Sequence, residues 1–107
     1  MKASYRQAAN DDVVRQFRYY LVTLNVPDVA VRFRDAVRGT VQSLCQHPLA
    51  GHTILRATRI FKICAPGLAG FEAIRIYYLV DEGAIRVIRI LHGKRDVKRI
   101  LEGEQGL

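Results

Sequence analysis

Apolar residues follow two different periods along this chain, and the change of period divides it into two halves. From Asn10 to Gln46 they recur three and four apart, as on one side of a helix. From Arg59 onward they alternate with other residues, as in a strand. Residues 2 to 7 read as a short opening strand. Asn10, Asp11 and Asp12 then supply an N-cap and first-turn acids. Val14, Phe17, Leu21 and Leu24 predict a first helix with one buried stripe. Asn25-Val26-Pro27-Asp28 interrupts it, with Asn25 suited to cap a second helix and Pro27 to its first turn. In that helix Ala30, Phe33, Val37, Val41 and Leu44 share a side. Arg32, Arg34 and Arg38 lie elsewhere around it, and Asp28 and Arg32 stand four apart, in reach of one another. Gln46-His47-Pro48 ends the helix, because a residue before proline is pushed out of helical geometry. A connection this short predicts an antiparallel helix hairpin.

Leu49 to Thr58 reads as a loop around Gly51. Beyond it come three strands. The first starts at Arg59, with Phe61, Ile63 and Ala65 on one face and Lys62 and Cys64 on the other. Pro66-Gly67-Leu68-Ala69-Gly70 turns the chain into a second strand, Phe71 to Val80. Asp81-Glu82-Gly83 makes a tight turn in which Gly83 is free to take positive φ, and Ala84 to His92 is the third strand. After Gly93 a short basic segment carries apolar residues at helical spacing. The expected fold is α+β: a helix hairpin packed on a small, mainly antiparallel sheet in the order β-α-α-β-β-β, closed by a short C-terminal helix. At 107 residues the chain forms a single domain, residues 1–107.

Composition adds a direction to this picture. Seventeen Lys and Arg against ten Asp and Glu leave a formal charge of +7, which favours anionic partners without choosing among them. No stretch approaches the roughly 18 apolar residues needed to span a bilayer, and Met1 to Arg6 lacks the apolar core of a secretory signal. Cys45 and Cys64 fall in different elements. A chain this rich in apolar residues needs no disulfide staple, which points to the cytoplasm. Cys45 fits a packed helix face.

The candidate chemistry gathers at the end of the sheet. In the second strand Ile74, Ile76, Tyr78 and Val80 form the more apolar face, so Arg75 and Tyr77 are expected to look outward. In the third strand Arg89 shares a face with Ile85, Val87 and Leu91, and Arg86 with Ile88, Ile90 and His92; the pattern leaves open which is buried. Charge on a largely buried strand is costly unless it reaches solvent or a partner. The segment from Ile85 to Leu101 is therefore the expected partner-facing surface. Lys62, Arg75 and Arg89 or Arg95, if they converge, would make a cationic patch that grips phosphates or carboxylates. His92, at the strand end, has the side chain for proton transfer near neutral pH, but the favoured reading is a ring that hydrogen-bonds to backbone and orders the turn at Gly93. His47 and His52 lack the companions of a metal site, and no glycine-rich phosphate loop is present. Neither a metal nor a cofactor is expected.

Several stretches resemble toxins of the RelE/ParE superfamily, the stable halves of bacterial type II toxin–antitoxin modules. They are Pro27-Asp28-Val29-Ala30-Val31-Arg32-Phe33, His47-Pro48-Leu49-Ala50-Gly51, Arg75-Ile76-Tyr77-Tyr78-Leu79-Val80 and, most specific, Leu91-His92-Gly93-Lys94-Arg95-Asp96. The resemblance is stronger to ParE-type members. It implies a protein that binds DNA gyrase and blocks supercoiling, with no catalytic residues of its own. Arg89, His92, Lys94, Arg95, Asp96, Lys98 and Arg99 would contact the target. A ParD-like antitoxin would fold onto the helix groove and the cationic sheet face, touching Phe17, Tyr20, Phe33, Arg75 and Tyr77, so that the chain works as a hetero-oligomer without reading DNA sequence itself. The alternative implied by RelE-type members is a ribosome-dependent mRNA endoribonuclease using Lys62, Arg75, Arg95 and His92. Against it, Cys64 stands where a second lysine would fall and Leu101 near where a tyrosine would fall, which removes a proton-transfer group. A third possibility is a member that binds antitoxin but has lost toxicity.

Overall fold

The computed structural model describes residues 2–47, 52–56, 60–63, 70, 71, 73–81 and 83–92, with backbone only for 52–56, 60–63 and 81. Strand β1 (Lys2–Tyr5) leads into helix α1 (Gln7–Arg18), which runs on as a π-helical turn, Tyr19–Thr23. Helix α2 (Pro27–Gln46) follows, then β2 (His52–Arg56), β3 (Ile60–Ile63), β4 (Ile74–Asp81) and β5 (Ala84–His92). The strands form one sheet of five in the order β1-β5-β4-β3-β2. β1 runs parallel to β5, and the remaining pairs are antiparallel. The α+β class and the hairpin-on-sheet layering are those expected. The predicted C-terminal helix lies outside the described residues.

α2 buries the side read from its sequence: Ala30, Phe33, Val37, Val41 and Leu44 are all within 4% of full burial. Phe33, Val37, Val41 and Leu44 meet Ile74, Ile76 and Tyr78 from β4 and Ile85, Val87 and Ile90 from β5. Cys45 packs at the edge of this core. Phe33, Tyr20 and Phe71 close one end with ring centroids 5.7–5.8 Å apart, Phe33 meeting both others edge-on.

α1 departs from expectation. It starts at Gln7, because Ala8 and Ala9 are strong helix formers and Ala9 is fully buried in the core. Asp12 therefore sits in mid-helix rather than capping the first turn. The buried side runs through Ala9 and Asp12, with Val13 and Tyr20 packed alongside. The expected stripe is offset from it: Val14 is 50% exposed, Leu21 39% and Leu24 48%. The π turn adds to the offset, since its wider winding rotates the residues that follow. Asn25 does not cap α2. It takes φ 54°, the left-handed conformation asparagine tolerates, and turns the chain so that Val26 precedes Pro27 at the start of α2.

Two corrections apply to the sheet. The stretch read as a loop contains β2, whose pairing with β3 slips between Thr53 and Leu55 and so hides its alternation. The β4–β5 ladder carries a bulge: Tyr77 faces Arg89 and Tyr78 faces Val87, so Ile88 has no partner in β4. The bulge shifts the phase of β5, and Ile90 rather than Arg89 joins Ile85 and Val87 in the core. Gly83 takes φ 78° at the β4–β5 turn, as its position requires.

Candidate functional site

Beyond the end of β1, no strand among the described residues continues along that edge of β5, and Asp12 takes that place. The last ladder contact is the Arg6 amide donating to the Val87 carbonyl at 2.9 Å. Further along β5, the Ile90 amide donates to Asp12 Oδ2 at 2.9 Å. Arg89 donates to the same carboxylate twice, Nε to Oδ2 at 2.8 Å and Nη2 to Oδ1 at 2.9 Å. Arg15 Nη1 approaches Oδ1 at 3.3 Å. Asp12 is 4% exposed, and a carboxylate this buried persists as an ion only when its oxygens are paired. The cluster anchors α1 to the part of β5 that leads into the basic segment after Gly93.

Arg89 was expected at the partner-facing surface. Its side chain is 15% exposed and committed to Asp12, so its charge is spent inside the molecule. His92 stands exposed at the strand end, opposite Ile74. Lys94, Arg95, Asp96, Lys98 and Arg99 lie outside the described residues. Lys62 stands opposite Tyr78 in the β3–β4 ladder, and Arg75 opposite Leu91 in β4–β5. Arg75 is half-buried and lies near Tyr77. Tyr77 is absent from the core cluster that Ile74, Ile76 and Tyr78 join, as the alternation predicts, yet it is only 3% exposed; burial pushes its phenol above the ordinary value of 10.0, and the Arg75 charge opposes part of that rise. Phe33 is fully buried against Tyr20 and Phe71, which removes it from any partner-binding surface. Tyr20 is half-buried in the same aromatic group.

Phe17, of the expected antitoxin contacts, does line an accessible surface. Val13, Val14, Phe17 and Leu21 floor a groove of about 400 Å³, and Arg18 and Arg34 rim it. Tyr19 and Val22 continue the exposed apolar surface around the π turn, at 45% and 72% exposure. An apolar floor with cationic edges fits the apolar face of an amphipathic helix whose flanks carry acids. The sequence pattern contained this stripe, but read it as core.

Asp12 was the residue most thoroughly missed. The available signal was an acid on the same helical side as Ala9 and Val13, a position that burial alone would give to an apolar residue. Among the described residues, no helix is long and apolar enough to cross a membrane.

A solved structure described as a chromosomal ParDE TA system from P. aeruginosa superposes with a TM-score of 0.69 at 18% identity, covering 86% of this chain and 95% of that one. At that identity the likeness shows the fold alone. No curated protein sequence matches the chain. The family model for the ParE toxin of the type II toxin–antitoxin system parDE matches residues 3–97. The chain belongs to the ParE toxin family.

Proposed function

We propose that this toxin arrests growth by binding DNA gyrase in the cytoplasm, without catalysing a reaction itself, and that a ParD-like antitoxin neutralises it. The observation that carries the reading is the ParE-family match over residues 3–97. The antitoxin's amphipathic helix occupies the groove of Val13, Val14, Phe17 and Leu21, with acids toward Arg18 and Arg34. Target contact belongs to His92, Lys94, Arg95, Asp96, Lys98 and Arg99. Arg89 acts as a positioning residue: through Asp12 it fixes the strand from which that segment issues.

Induced expression tests this reading. Growth should stop, and co-expression of the ParD-like partner should restore it. Changing Lys94 and Arg95 together to Ala should weaken the arrest while leaving the melting temperature unchanged. Uninterrupted growth on induction of the folded protein would reduce the chain to an antitoxin-binding member without toxicity.

A further inference from the structure

The tip of the helix hairpin carries an apolar surface beyond the residues that line the groove. From Tyr19 to Pro27, nine successive residues bear no charge, in a chain of which a quarter of the residues are charged. Within this run the π turn and the residue after it leave Val22 72%, Leu24 48% and Tyr19 45% exposed. Tyr20 turns inward to Phe33 and Phe71, and Tyr19 leans on it from outside with ring centroids 5.8 Å apart. Large apolar side chains held together in water gain free energy when covered, and such a cluster marks an interaction surface.

The flanking charges favour one occupant. Arg18 precedes the run and Asp28 follows it, both exposed. Asp28 lies 3.8 Å from Arg32, but the two side chains are 80% and 69% exposed, and a solvated pair of this kind contributes little. The surface is thus apolar in the middle, cationic on one flank and anionic on the other. That pattern is self-complementary. Where two copies meet about a two-fold axis, every contact is repeated in reverse, so Arg18 of one copy faces Asp28 of the other at both ends. Net charge points the same way. Two chains of formal charge +7 repel, and the least unfavourable contact between them is one whose own charges cancel. A strongly acidic partner would instead meet repulsion at Asp28.

We propose that two copies of this chain associate reversibly through the hairpin tip, with Tyr19, Val22 and Leu24 at the centre of the contact and Arg18–Asp28 pairs at its ends. A surface this small belongs with weak, transient interfaces rather than obligate ones. The inference rests on neither the gyrase reading nor the antitoxin groove, which the tip adjoins at Leu21.

The test is sedimentation equilibrium of the full-length protein from micromolar to millimolar concentration. The average mass is expected to rise from one chain toward two. Val22→Asp should weaken association by about tenfold or more without lowering the melting temperature, because Val22 lies mostly in solvent. Val14→Asp, in the groove, should leave association intact. Charge exchange examines the geometry. Arg18→Glu and Asp28→Lys should each weaken association, and the two combined in one chain should restore it, since the exchanged flanks still match. Melting temperatures establish that each variant is folded. A single-chain mass throughout the range would overturn the proposal. So would equal weakening by Val22→Asp and Val14→Asp, or a double exchange no better than its single variants. Weaker capture of the ParD-like partner by Val22→Asp, with no self-association at any concentration, would also overturn it and assign the tip to the antitoxin.

Discussion

Arg89 and Asp12, 77 residues apart in sequence, meet through two hydrogen bonds of 2.8 and 2.9 Å, and the same carboxylate accepts the Ile90 amide. A helix side chain thereby completes the hydrogen bonding of β5 where the parallel strand β1 stops. Removing one partner of such a pair leaves the other desolvated and uncompensated. Asp12→Ala should therefore cost about 3–5 kcal/mol, a large share of the roughly 5–15 kcal/mol that stabilises a typical domain. Urea unfolding would measure it. A double-mutant cycle with Arg89→Met should show strong coupling, because once Asp12 is gone the arginine has lost its counter-charge. Additive effects would mean that the pair does not hold α1 to the sheet.

The exposed groove makes a prediction of the opposite character. Val14 and Leu21 are 50% and 39% exposed, so Val14→Asp and Leu21→Asp should each alter stability by less than about 1 kcal/mol. Antitoxin capture should nevertheless weaken by about tenfold or more, as an apolar anchor is replaced by a charge that repels an acidic helix. Charge reversal at Arg18 and Arg34 should chiefly slow association and flatten its salt dependence. Surface plasmon resonance with the partner would separate these effects.

What the sequence made legible depended on whether one period ran unbroken. α2 keeps a single winding over its full length, and its buried side was readable residue by residue. The β4–β5 hairpin was readable too, aided by Gly83. The failures have specific physical causes. The π turn and the buried ion pair displaced the core side of α1 from its apolar stripe. The bulge at Ile88 reversed the phase of β5, so that Ile90 rather than Arg89 took the core face beside Ile85 and Val87. The slipped register of β2 left it with no alternation to read. The site suffered most, because a salt bridge between residues this far apart has no local signature, whereas the cationic and aromatic residue types that suggested binding are visible in the sequence itself.

Alkaline pH should destabilise the fold through two phenols. Burial raises Tyr5 above 10.0, with the neighbouring Cys45 adding to the rise and Arg38 opposing it. Tyr77 is raised by burial, against the opposing charge of Arg75. A raised value in the folded state means that folding favours the protonated phenol. The resulting stability is present in full below pH 10, the unfolded value, and is lost as pH rises through the folded values. Tyr77→Phe should make the decline above pH 10 shallower in urea midpoints, with little change at neutral pH. An unchanged alkaline slope would show that Tyr77 ionises freely.

Asn25 tests the hairpin turn. At φ 54°, Asn25→Gly should be nearly neutral. Asn25→Val should cost about 1–3 kcal/mol, because a β-branched residue resists the left-handed region. Thermal unfolding of the two variants gives the comparison directly.

The central claim is inhibition of gyrase by binding alone, and supercoiling by purified gyrase tests it most directly. Relaxed plasmid, ATP, gyrase and this protein are combined with no ribosomes present. The account predicts dose-dependent loss of supercoiling that pre-incubation with the ParD-like partner prevents. Full supercoiling at every dose, with cleavage of mRNA when ribosomes are supplied instead, would contradict it.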